Sequence, residues 1–261
     1  MTKLTALITC FNEQDKLRPC LASVRWADEI LVVDSFSTDG TVAIAREFTD
    51  RVLQHQYLSP ARQKNWAIPQ ARHDWVLILD ADEQVTPELA HEIRDLLAGD
   101  PPCEGYALRR RNFFLGREIR HSGWQNDWVM RLLRREAGRY DDVAVHETLR
   151  VPGPTGRCRN PLIHYPYRTL DEQFTRLLRY SRWGAEEGRR RGRRMTYLRM
   201  LLHPWLRFLR GYLLRGGILD GLHGLVVCLF AAFGVMARDA RLWELNSRAA
   251  AEGDAEKPTD S

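Results

Sequence analysis

The sequence predicts an α/β fold built on a mostly parallel sheet, followed by a basic helical module. Three observations carry this. Short apolar runs alternate with helical patterns over the first hundred residues. Those runs, LTALIT, ILVVD and WVLIL, are continuous rather than alternating, the mark of strands covered on both faces. The charge is also uneven: residues 1–150 hold 20 Lys and Arg against 23 Asp and Glu, while residues 151–261 hold 19 against 11.

The elements follow in order. Leu4–Thr9 reads as a strand, and Glu13–Val24 as a helix with Leu17, Leu21 and Val24 on one face. Ile30–Asp34 is a second strand, Thr41–Phe48 a helix and Arg51–Gln54 a short strand. Pro60–Ala71 is a helix, Trp75–Leu79 a strand, and Pro87–Leu97 a helix with proline in its first turn. Gly105–Arg109 and Trp128–Leu133 read as strands flanking a loop rich in arginine and aromatics. From Leu170 the pattern is helical and basic, with 13 Arg and four carboxylates over residues 168–215. The expected organisation is a catalytic domain over residues 1–165, a helical membrane-associating region over 166–245 and a disordered tail over 246–261.

Composition excludes several classes. At 44% hydrophobic and 28% charged residues the chain is not disordered. Five cysteines without a C-x-x-C pair argue against a disulfide framework and against a zinc site. No signal peptide is read at the N-terminus, because the first apolar run is short and meets Asn12 and Glu13. The expected location is therefore cytoplasmic. A basic C-terminal half, 35 of the 39 basic residues in the chain being Arg, calls for a polyanionic partner, nucleic acid or anionic membrane. Nucleic acid is disfavoured: the first hundred residues hold 10 basic against 16 acidic residues and carry no nucleic-acid motif.

Ligands of parallel sheets bind beyond the carboxyl ends of the strands. Here those ends carry Thr9–Glu13, Asp34–Asp39 and Asp80–Glu83. Asp80-Ala81-Asp82 closes an apolar strand, and two carboxylates two residues apart can converge on one hard cation, Mg²⁺ or Mn²⁺. The alternative is a pair of solvated turn carboxylates. Three acidic clusters on one sheet edge repel one another unless a cation or hydrogen-bonding ligand is present.

LITCFNE, VVDSFSTDGT, ARQKN and WVLILDADEQVTPE, in this order and spacing, resemble glycosyltransferase family 2. VDSFSTDGT, DADE and the later VHE are most similar to its lipopolysaccharide core β-glucosyltransferase branch. The resemblance implies a GT-A nucleotide-sugar-binding fold over roughly residues 1–150 and a metal-dependent inverting transfer of a hexose. It implies that Thr9, Phe11, Asn12, Glu13 and Asp34 cradle the base and ribose, and that Asp39 caps a helix or touches the nucleoside. Lys64 and Asn65 would lie near the diphosphate or base, Asp80 and Asp82 would form the D-x-D motif, and Gln84 would be a third metal contact. One departure is Asp34-Ser35, where many members carry two aspartates.

An inverting transfer needs a general base for the acceptor hydroxyl. Asp141, Asp142 and Glu147 are candidates, and Glu147 is preferred, with His146 to orient it or approach the metal. His164 in LIHYPY stands between ligand and structural residue. The arginines at 109–111, 117, 120, 131, 134 and 135 surround the aromatic loop Asn112–Trp124. They suit a phosphorylated sugar acceptor or an exposed basic strand pair.

Tyr197–Arg215 places Arg199, His203, Arg207 and Arg210 on one helical face, opposite Leu198, Leu201, Leu202, Trp205, Phe208, Leu209 and Tyr212. Gly224–Ala237 is an uncharged run of 14 residues, short of the roughly 20 a span needs. A hydrophobic hairpin or shallow helix is expected over Gly216–Ala237, or else packing against protein. The reading is a peripheral enzyme at the cytoplasmic face of the inner membrane. It uses a nucleotide-sugar donor, a divalent cation and a lipid-linked glycan acceptor, the lipopolysaccharide inner core or a related envelope glycan. The alternatives are a polyprenyl-phosphate glycosyltransferase, a nucleic-acid-binding protein and a nucleotidyltransferase, the last lacking its Gly-rich N-terminal loop.

Overall fold

The continuous apolar runs become parallel strands. In the computed structural model, which describes residues 2–141 and 149–255, β1 (Leu4–Cys10) lies between β2 (Glu29–Asp34) and β4 (Trp75–Asp80), parallel to both. β3 (Val52–Gln54) extends the parallel part beside β2. The strand order is β3-β2-β1-β4-β8-β6-β12-β5. The later strands are β5 (Glu83–Val85), β6 (Gly105–Phe114), β7 (Arg117–Glu118), β8 (Trp128–Arg134), β9 (Arg139–Tyr140), β10 (Leu149–Arg150), β11 (Thr155–Arg157) and β12 (Leu162–Tyr167). β8 runs antiparallel to β4 and β6, and β12 antiparallel to β5.

The register decides where chemistry can occur. Thr9 pairs with Asp80 and Cys10 with Asp34, so the polar ends of β1, β2 and β4 share one edge. Helices α1 (Gln14–Ala22), α2 (Thr41–Arg46), α3 (Pro60–Ala67) and α4 (Pro87–Ala98) connect the strands. Strand residues alternate between two cores. Ala6, Ile8, Leu77 and Leu79 meet Leu17, Leu21, Leu89 and Ile93 of α1 and α4, whereas Leu7, Leu31, Val33, Val76 and Ile78 meet Ala61 and Ala67 of α3. Ser59 and Thr86 cap α3 and α4 through their hydroxyls, each with proline next. α3 stops at Ala67, short of the expected Ala71, and a 3-10 turn over Ile68–Gln70 carries Pro69, which has no N–H for the helix ladder.

The chain divides into two units: Met1–Phe113 with Asn126–Pro166, and Phe114–Gln125 with Tyr167–Ser261. The first boundary falls one residue beyond the expected 165. The segment Phe114–Gln125, expected within the first domain, belongs instead with the helices, because Phe114 and Ile119 share a core with Val227. Asp220 fixes this segment, accepting from the Arg120 and His121 backbone N–H groups at 3.2 and 2.9 Å.

The second unit contains α5 (Leu170–Arg190), α6 (Tyr197–Leu209), a π turn over Arg210–Leu214, a 3-10 turn over Gly217–Asp220 and α7 (Gly221–Ala255). The hairpin expected over Gly216–Ala237 does not form: the 3-10 turn over Gly217–Asp220 leads into α7, which runs on through Ala237. Gly217–Arg248 is long and apolar enough to cross a membrane by length and composition. The helix outlasts the uncharged run because buried Asp239 is met by His203 of α6 at 2.8 Å and by neighbouring Arg238. It also runs to Ala255, past the tail boundary expected at 246.

Candidate active site

Asp80 ends β4 at the shared edge and is gripped from two sides. Lys64 Nζ of α3 lies 2.9 Å from Asp80 Oδ1, and Arg131 Nη2 of β8 donates to Asp80 Oδ2. The same Arg131 nitrogen donates to Glu83 Oε1 at 2.6 Å. Glu83 Oε2 accepts the Asp80 backbone N–H at 3.0 Å, closing the turn around Ala81. Arg110 of β6 reaches Glu83 at 3.3 Å and holds Asp127 with two hydrogen bonds of 2.9 Å.

This chain of opposite charges answers the acidic crowding expected from sequence. The repulsion is offset by the protein's own Lys64, Arg131 and Arg110 rather than only by an added cation. Burial pushes the Asp80 carboxyl up, but the Arg131 and Lys64 charges outweigh it and hold the group well below its usual range. Burial likewise disfavours charge on Arg131, and the Asp80 and Glu83 carboxylates reverse this, raising it well above an ordinary guanidinium. Asp127 is also held low: burial opposes its charge, and Arg110 and Asn112 overcome that.

Asp82 faces another partner. Its Oδ1 lies 3.6 Å from Nε2 of His164 on β12, which the β5–β12 register sets opposite Glu83. His164 Nδ1 is 2.6 Å from Asn112 Oδ1, and Asn112 Nδ2 donates to Asp127 Oδ2 at 3.0 Å. Gln84 sits on β5 opposite Ile163.

The β1 and β2 ends form a second polar rim. Asn12, in a left-handed conformation with φ 53°, accepts the Thr38 N–H at 2.8 Å and donates its own N–H to Ser37 Oγ at 2.8 Å. Asp34 is fully buried and accepts the Ser37 N–H at 3.0 Å and Gln54 Nε2 at 3.3 Å. Asp39, one residue before the Gly40 N-cap of α2, accepts the Thr41 N–H at 3.0 Å and the Gln14 N–H at 3.3 Å. Burial opposes its charge, but these hydrogen bonds win and hold its carboxyl below the usual range. Thr9 is buried, the Glu13 N–H donates to Thr41 Oγ1, and Phe11 is half exposed at the rim. Asn65 exchanges two hydrogen bonds with the Tyr140 backbone, at 2.8 and 2.9 Å, pinning β9.

The structure therefore brings Thr9, Asp34, Lys64, Asp80 and Asp82 to one edge. It gives the two aspartates of the D-x-D motif different partners. Asp142, His146 and Glu147 lie outside the described residues; Asp141 accepts Arg150 Nε at 2.7 Å. Sequence reasoning missed the roles of Glu83, Arg110, Asn112 and Asp127, and placed Arg131 only among the loop arginines. The available signal was Arg131 itself, a charge inside the apolar run VMRLL.

A family model, Glycosyl transferase family 2, matches residues 5–166. The chain belongs to glycosyltransferase family 2. Among relatives of this family-2 chain, the lipopolysaccharide core biosynthesis glycosyltransferase LpsC of Rhizobium meliloti (strain 1021) is 30% identical over 248 residues, 92% of each chain. An uncharacterized glycosyltransferase of Rickettsia felis is 25% identical over 256 residues, 94% of this chain and 90% of that one. The S. aureus TarS 1–349 structure in complex with UDP aligns over 95% of this chain and 92% of that one, with a TM-score of 0.49 and 14% identity. The glycosyltransferase fold here is GT-A-like, a mostly parallel sheet with helices on both faces and its polar residues at the carboxyl edge.

Among the described residues, no three His, Cys, Asp or Glu side chains form a ready-made cation site. Mg²⁺ or Mn²⁺ can bind through one or two carboxylates and complete their shells with substrate phosphates and water. Asp82 supplies such a carboxylate, with His164 Nε2 beside it as a nitrogen donor. Asp80, held by Lys64 and Arg131, is engaged elsewhere.

Proposed function

We propose that the enzyme transfers a hexose, glucose foremost, from a nucleotide-sugar to a sugar of the lipopolysaccharide inner core or a related envelope glycan, with inversion. The observation that carries this is the row of Thr9, Asp34 and Asp80 across the carboxyl ends of three parallel strands, with Asp82 and His164 beside it. The acceptor class draws on similarity to LpsC along almost the whole of both chains.

In this reading Thr9, Phe11, Asn12 and Glu13 line the nucleoside end of the site. Lys64 balances charge at the diphosphate. A divalent cation held by Asp82 and His164 would neutralise the diphosphate as it leaves. Glu147 takes the proton from the acceptor hydroxyl. The hydroxyl oxygen then attacks the anomeric carbon from the face opposite the nucleoside diphosphate, which departs with the bonding electrons. His146 orients Glu147, and Asp142 is the alternative base.

The enzyme works as a peripheral protein at the cytoplasmic face of the inner membrane. α6 has no buried residue. Trp205 is 65% exposed, and Leu198, Leu206, Leu214, Leu219 and Leu222 are also exposed. An apolar face of this size, with Arg199, Arg207 and Arg210 along the same segment, suits an anionic bilayer surface.

The deciding assay measures UDP release from UDP-glucose with and without deacylated inner-core acceptor. Acceptor-dependent release with a β-linked product supports the proposal. Release that needs only a polyprenyl phosphate would replace it with the lipid-phosphate reading.

A further inference from the structure

The hydrogen bonds around His164 fix which of its ring nitrogens carries the proton. The Asp127 carboxylate only accepts hydrogen bonds, and Arg110 already donates to it twice. The atom of Asn112 that faces Asp127 at 3.0 Å is therefore its NH₂ group. The other end of that amide, facing His164 Nδ1 at 2.6 Å, is the carbonyl oxygen. An acceptor there requires Nδ1 to be the protonated nitrogen. In the neutral ring Nε2 then presents a lone pair, and it is aimed at Asp82 Oδ1, 3.6 Å away. A lone pair and a carboxylate at this separation repel each other unless a proton on Nε2 or a cation lies between them.

We infer that Asn112 is a positioning residue, and that Arg110, Asp127 and Asn112 form a relay holding His164 with Nδ1 protonated and Nε2 turned to the cation. The inference rests on the proposed cation at Asp82 and His164. Asn112 and His164 are 52 residues apart in sequence, and β6 and β12 are neighbours in the sheet, so the relay is built into strand pairing rather than into a loop. Asn112 is itself buried, so water does not compete for its amide. Outer partners of metal-bound histidines fix tautomer and ring orientation in this way, and losing one costs about 10- to 100-fold in metal affinity.

The test uses the full chain at pH 8 with UDP present and has two readouts. Nitrogen-15 NMR of the metal-free protein reports the His164 tautomer, and electron paramagnetic resonance titration reports Mn²⁺ affinity. The wild type is expected to show the Nδ1-protonated neutral ring. Asn112→Ala should mix the tautomers and weaken Mn²⁺ binding about 10- to 100-fold. In a His164→Ala background the same substitution should change Mn²⁺ affinity less than about twofold, because the relay acts only through that ring. Asp127→Asn keeps side-chain volume and lets the Asn112 amide reverse, so it should also mix the tautomers if Asn112→Ala does not fold. An unchanged tautomer in both variants overturns the relay, as does an equal affinity loss with and without His164. If the tautomer follows the relay but the wild type binds no Mn²⁺, the cation reading fails, and the positioning role falls with it.

Discussion

Arg131 Nη2 and Glu83 Oε1 lie 2.6 Å apart with almost no solvent contact, the Arg131 side chain being 5% exposed and that of Glu83 fully buried. Breaking such a pair from one side leaves the other charge stranded, at about 3–5 kcal/mol. Arg131→Met should therefore destabilise the protein by about 3 kcal/mol, read as a lower midpoint in urea. Glu83→Gln in the same background should recover part of the loss, since it removes the stranded charge.

Asp82→Asn should lower acceptor-dependent UDP release by about two orders of magnitude or more, because the cation loses its anionic ligand. The unfolding midpoint should stay near that of the wild type. Full activity of purified Asp82→Asn in the presence of a chelator would exclude the metal mechanism.

Glu147→Gln should reduce kcat by about two to four orders of magnitude, the usual contribution of a general base. Donor binding, followed by calorimetry with UDP-glucose, should be retained. Normal turnover would move the role to Asp142 or Asp141.

Glu29 gives a pH prediction away from the site. It accepts Thr5 Oγ1 at 2.7 Å, the Arg72 N–H at 2.8 Å and Arg51 Nε at 3.1 Å. Burial pushes its carboxyl up, but these hydrogen bonds outweigh it and hold it below the usual value. A depressed folded-state pKa stabilises fully above the unfolded value of about 4.3, and the gain is lost as pH falls from there through the folded value. Glu29→Gln should cost about 2 kcal/mol at pH 7, the worth of hydrogen bonds to a charged group. The gap should close progressively below about pH 4. A gap that persists unchanged to pH 2 would show that packing, not charge, sets the loss.

Vesicle sedimentation tests the membrane reading. Arg199, Arg207 and Arg210 should each add on the order of 1 kcal/mol on anionic lipid. Salt should remove that part and leave the apolar part. Partial retention on anionic vesicles at high salt is the expected result, and equal binding to neutral and anionic vesicles would exclude the electrostatic component.

Much of this architecture could be read in the chain. β1, β2, β4 and the aspartates at 80 and 82 announce themselves because each strand is one apolar run closed by acidic residues. The ion-pair chain could not be read. Arg131 and Asp80 are 51 residues apart, and they meet because β8 pairs with β4 in the register Leu77↔Leu132, which no local pattern specifies. β9 and β10 have two residues each, too few to show a period. The length of α7 escaped for another reason. The uncharged run measures only what is free of charge, and Asp239 extends the helix because His203, 36 residues away, meets it.

The segment Phe114–Gln125 has a consequence for how the chain is made. Its anchors, Asp220, Val227 and Cys228, follow it by about a hundred residues; His121 and Asp220 are separated by 99. At the usual synthesis rate of about 5–20 residues per second, the segment leaves the ribosome some 5–20 s before its partners. Phe114, Ile119 and Trp124 stay in water for that interval while the strands on either side are already able to pair. A protein ended at Pro166 would never leave that state: it would carry the segment for life without the helix that covers it.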